Sequence, residues 1–175
     1  MTLNAPAALT YRTRQVSQQV SHWFWIPIGT PPADVFINEI MYHPDRTNEA
    51  DYAYVELYNP ASAPVTLMGW RLEGVSFDFP SGAVIAANGY LVCCANSNVI
   101  RTAYGITNAI GNWTGQLQHN GETLTLYNQY GRDTDSARYD DREPWPVAAD
   151  GLGPALERIC ATATGNTSLN PRSCS

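Results

Sequence analysis

One stretch, residues 51–72 (DYAYVELYNPASAPVTLMGWRL), constrains the fold more than any other. Val55 and Leu57 alternate with Tyr54, Glu56 and Tyr58, the period-two pattern of a strand with one face buried, and Asn59-Pro60 closes that strand in a turn. Residues 65–68 give a second extended run. Gly69 then delivers Trp70 before Arg71 and Leu72 continue extended. Two strands and an indole from so short a length predict the start of a β-sandwich core, with Val55, Leu57 and Trp70 inside.

The rest of the chain from residue 35 reads as strand after strand. Residues 35–41 are extended, with Phe36 and Ile40 or Val35 and Ile37 on alternate faces, and lead into a polar loop over 42–50; 75–79 and 83–86 are short strands, Asn88-Gly89 is a tight turn, and 90–95 crosses the core. Residues 99–104 form a helical turn. Leu117 on one side and Leu124 and Leu126 on the other flank Asn120-Gly121, which predicts a hairpin with both leucines of the second strand in the core. Residues 134–139 make the last clear strand. Short strands at intervals of about ten residues predict an all-β sandwich.

Residues 1–34 differ in composition, being rich in Ala, Thr, Gln, Ser and Pro. Inside them 10–16 and 20–28 are extended runs joined at Ser17-Gln18-Gln19, and Pro31-Pro32 is a stiff linker. This predicts an N-terminal β-hairpin extension. TYRTRQV followed by VSHWFWIPI resembles the last two strands of a fibronectin type III module. Trp23, Phe24 and Trp25 give that hairpin more apolar surface than it can hide alone, so it is expected to dock, on its own sandwich or on a neighbouring copy in a filament. The chain thus divides at 1–34, 35–159 and 160–175.

The net charge is −6, and the ten basic residues are all Arg. Such a surface is not built to neutralise phosphates, so nucleic acid is not an expected partner. No run approaches the ~18 apolar residues of a membrane span, so no membrane insertion is expected.

FINEIMYHP, ADYAYVELYNP, LMGWRLEG, FDFPSGAVIAANGYLVCCA, HNGETLTLYNQYG and YDDREPWPVAADGLGPALERI follow one another in order. This series, over residues 35–159, resembles a bacterial lamin tail domain. The resemblance implies an immunoglobulin-like β-sandwich, used as a module of larger exported proteins, and implies no catalytic residues. The basic surface of the animal nuclear members is missing here.

Cys93 and Cys94 are neighbours in a strand, point to opposite faces and are read as reduced packing residues. Cys160 and Cys174 flank a tail with no apolar pattern to hold it. A disulfide between them is preferred over two free thiols, and it places the protein outside the cell or on its surface. Asp133, Asp135, Asp140, Asp141 and Asp150 offer hard oxygen ligands of the kind calcium takes, but their spacing fits no calcium loop, and carboxylates beside an exposed strand also serve solubility. No metal or other cofactor is therefore assigned, calcium being the one candidate. Catalytic motifs are absent, and His22, His43 and His119 sit in unrelated contexts, so no enzyme is expected.

Tyr42, Tyr52, Tyr54, Tyr58, Trp113 and Trp145 could meet a ligand, although most are read as structural. Two function classes follow. The first is a non-catalytic structural or adhesive module whose partner is protein, either flanking domains or copies of itself. The alternative is a carbohydrate- or calcium-binding accessory domain of an exported enzyme.

Overall fold

The structure is a computed structural model and describes residues 34–159, which fall within the unit Ala33–Ser175. The predicted hairpin, its fibronectin-like strand pair, Trp23, Phe24 and Trp25 lie outside the described residues, as do Cys160 and Cys174.

The strands are β1 (Phe36–Met41), β2 (Tyr54–Asn59), β3 (Val65–Thr66), β4 (Arg71–Glu73), β5 (Phe77–Asp78), β6 (Val84–Ile85), β7 (Gly89–Cys94), β8 (Ala109–Ile110), β9 (Glu122–Tyr127), β10 (Asp133–Tyr139) and β11 (Leu156–Glu157). Among the described residues they form a five-stranded sheet in the order β11-β1-β2-β7-β8, a four-stranded sheet β10-β9-β4-β5 and a small pair β3-β6. All neighbours are antiparallel except β7 and β8. Ile37, Val55, Leu57 and Cys93 from the first sheet share one core with Leu72, Phe77, Leu124 and Leu126 from the second. The described residues form an immunoglobulin-like β-sandwich.

Val55, Leu57, Leu124 and Leu126 are fully buried, and Trp70 is nearly so. Trp70 is also fixed through its backbone: its N–H donates to Leu67 O at 2.9 Å, and its carbonyl accepts from Phe79 N at 3.0 Å. Two short helices complete the fold. α1 (Glu49–Tyr52) lies within what the sequence presents as loop, and α2 (Ser97–Tyr104) is capped by Asn96, whose side chain accepts from Val99 N. Asn96 reaches back to Asp51 as well, at 3.1 Å, and so ties the two helices together.

Three local expectations need correction. Strict alternation over 35–41 fails because the β1–β2 register shifts between Ile37 and Glu39, a bulge that leaves Asn38 without a register partner on β2 and turns Ile37 and Ile40 to the same core. Asn120-Gly121 does not close a hairpin, since Leu117 is buried but outside any strand. Gly121 instead ends a turn onto Gln118 O at φ +92°, where an added Cβ would sit 2.6 Å from Tyr139 O. That glycine allows the close approach of backbones at the start of β9. Finally, the polar loop expected over 42–50 is helical at its end, where α1 begins at Glu49 and runs to Tyr52 before Ala53 turns extended.

Two buried polar groups hold the sandwich in register. Asp135 on β10 accepts from Ile37 N of β1 at 2.8 Å and receives both guanidinium nitrogens of Arg158, at 2.7 and 3.3 Å. One carboxylate thus joins the two sheets to the residue after β11. Asn59, fully buried at the end of β2, donates to Ala63 O and Ala86 O and accepts from Ala61 N, which pins the turns after β2 and β6.

Candidate interaction face

The outward side of the five-stranded sheet follows directly from the alternation around Val55 and Leu57. When these two residues point inward, Tyr54, Glu56 and Tyr58 must point outward. Pairing then extends this set into two rows. Phe36, Tyr58 and Tyr90 lie opposite one another on β1, β2 and β7, and Glu157, Glu39 and Glu56 lie opposite one another on β11, β1 and β2.

The Tyr58 and Tyr90 rings stack with centroids 4.7 Å apart, and Tyr90 is 44% exposed. The carboxylate row sets like charges directly across from one another, an arrangement that destabilises a sheet by itself. Burial holds the Glu56 carboxyl above its ordinary value; the hydrogen bond from Asn38 opposes this, and the charges of Glu39 and Glu157 reinforce it. Tyr54 gives Glu39 one donor, at 2.6 Å. A surface that gathers negative charge beside stacked rings is suited to a cationic, partly apolar ligand.

The other aromatic candidates are placed differently. Tyr42 and Trp113 are buried, and Trp145 packs half-buried against the core. The sequence shows which residues of β2 face outward. It does not show that Phe36 and Tyr90 flank Tyr58, because the pairing of β2 with β1 and with β7 joins residues distant in sequence, and the β1 register also shifts at Asn38.

The five aspartates do not form one group. Asp135 is committed to Arg158, Asp133 is exposed at the start of β10, and Asp140 and Asp141 follow the end of β10. Asp150 accepts or shares a proton with His43 Nδ1 at 2.7 Å. Among the described residues, the metal-ligating atoms that converge belong to His43, Glu49 and His119. The reading of His43 and His119 as unrelated is therefore corrected: their rings stack at 3.9 Å, brought together by the end of β1 and the turn before β9.

Cys93 and Cys94 are both free and buried. Cys93 lies in the main core; Cys94 packs with Ile100 and Ala109 on the opposite face. Burial pushes the Cys94 thiol up to about 11 and the Cys93 thiol well above its ordinary value, so neither is a ready nucleophile.

No curated protein matches the chain. A family model described as Lamin Tail Domain matches residues 29–141, beginning before the first described strand and ending just after β10.

Proposed function

The chain belongs to the lamin tail domain family, a family of non-catalytic immunoglobulin-like domains, and from that premise we propose that it is a protein-docking module of an exported protein. Its docking face is the part of the outer side of the five-stranded sheet around Phe36, Tyr58 and Tyr90, beside the patch that Ile100 of α2 covers at Val92 and Cys94, and its partner is a protein segment carrying Arg or Lys beside apolar residues. The observation that carries this reading is the pair of rows, Phe36–Tyr58–Tyr90 and Glu157–Glu39–Glu56. Opposed carboxylates cost the isolated domain stability, and a cationic partner removes that cost on binding. The stacked tyrosines supply rigid contact area and a π-face for a guanidinium. Export rests on the expected Cys160–Cys174 disulfide.

Panning a random-peptide display library on the full chain, with counter-selection on the Tyr58→Ala/Tyr90→Ala double variant, tests the reading. Recovered peptides should be enriched in Arg and aromatic residues, and Tyr90→Ala should weaken them roughly thirtyfold, the scale of an interface anchor. Acidic or unenriched peptides would overturn the proposal. So would a glycan array on which the wild type binds a sugar through the same tyrosines, or sedimentation showing that this face pairs with a second copy of itself.

A further inference from the structure

We propose that His43, Glu49 and His119 form a binding site for one divalent transition-metal ion of the zinc class, at the end of the sandwich and separate from the docking face. Three independent segments build it. His43 follows β1, Glu49 opens α1, and His119 lies in the turn that Gly121 closes. Glu49 is central: its two carboxylate oxygens lie 3.3 Å from His43 Nε2 and 3.8 Å from His119 Nε2. Ligands bound at about 2.0–2.2 Å around a tetrahedral ion stand roughly this far from one another. Two imidazoles and one carboxylate are a donor set suited to zinc and not to calcium, which takes oxygen.

The support around the first ligand points the same way. His43 Nδ1 is 2.7 Å from Asp150 Oδ1, which fixes the tautomer that leaves Nε2 free to ligate, the usual carboxylate–histidine–metal arrangement. The ring is held from behind by backbone. Gly151 donates its N–H to His43 O, and its φ of +74° brings it so close that a Cβ there would lie 3.0 Å from His43 Cε1. The stacked rings must tilt apart for both Nε2 atoms to aim at one ion, and His119, half-exposed in its turn, has the room to do so.

The site also opens onto free space. Glu49 and His119 line a cavity of about 240 Å³, whose wall also carries Tyr42 and Trp113. Three protein ligands leave a fourth position open, and metal-bound water there would sit at this cavity.

Titrating the untagged full chain with Co²⁺, and then displacing it with Zn²⁺, tests the proposal. The wild type should take up one equivalent with the visible bands of four-coordinate cobalt and without the intense thiolate charge transfer that Cys ligation produces. Its thermal midpoint should rise with Zn²⁺. His119→Ala and Glu49→Gln, checked for folding by circular dichroism, should lose the bands, and Asp150→Asn should weaken binding about 10–100-fold, as expected for a ligand's supporting carboxylate. No stoichiometric uptake by the wild type, or uptake unchanged in folded His119→Ala, would mean that the cluster is only a set of ion pairs. Equal stabilisation by Ca²⁺ that survives these substitutions would also overturn it.

Discussion

At the residue scale, the polar groups worth most to this domain are the buried ones, and Asp135 is the clearest. Its carboxylate is shielded from water but satisfied by Arg158 and Ile37 N–H. Removing one partner of a buried pair strands the other, so Asp135→Asn should cost about 3–5 kcal/mol in urea unfolding. Asp133→Asn, at an exposed position on the same strand, should stay within about 0.5 kcal/mol. Burial still leaves the Asp135 carboxyl above its ordinary value, against the pull of Arg158 and the Ile37 N–H, and it raises the carboxyl of Glu56 as well, where Asn38 is the opposing donor. The fold disfavours the Glu56 anion, so its contribution is most favourable at pH below its ordinary 4.5, where the carboxyl is protonated in both states, and is lost as the pH rises through the elevated folded value. Glu56→Gln should therefore be more stable than the wild type at pH 7, with the difference shrinking as the pH falls towards 4.5. Unfolding midpoints at the two pH values check this, and a variant less stable than wild type at pH 7 would contradict it. The sequence singled out Asp135 only as a calcium candidate, because its partner Arg158 lies on another strand's flank and nothing local marks the pair.

At the element scale, the strands that were legible are those buried on one face and bounded by turn chemistry. β2 and β7 show this well: Val55 and Leu57 alternate cleanly, and Asn59-Pro60 and Asn88-Gly89 punctuate them. β1 was legible as a strand but not in its facing, since a bulge at Asn38 leaves no mark in hydrophobic periodicity. The turn at Asn120-Gly121 was legible as a turn but not in its purpose, because the backbone it must admit, at Tyr139, is distant in sequence. The histidine cluster was illegible for the same reason. His43 and His119 meet only once β1 and the approach to β9 are packed at one end of the sandwich. Trp70 belongs to this scale because its backbone links Leu67 to Phe79 across the entry to β4. Trp70→Ala should cost about 3–5 kcal/mol, the range for deleting a large buried aromatic. A denaturant midpoint equal to that of the wild type would contradict the packing described.

At the scale of the whole molecule, the sandwich leaves its two ends and two outer faces to carry function, and they differ in chemistry. The outer face of the five-stranded sheet combines rings with negative charge; one end combines imidazoles with carboxylates beside a cavity. The proposed exported setting has its own check. Alkylating the unfolded but unreduced chain should modify two thiols, those of Cys93 and Cys94, and four modified thiols would remove the disulfide argument for export. The docking face is the centre of the account, and amide chemical-shift mapping on the full chain with a selected Arg-containing peptide tests it most directly. Shifts should concentrate on β1, β2 and β7 around Phe36, Glu56, Tyr58 and Tyr90, and should be lost in Tyr58→Ala/Tyr90→Ala. Shifts centred instead on the four-stranded sheet, or on the His43–His119 end, would contradict the account.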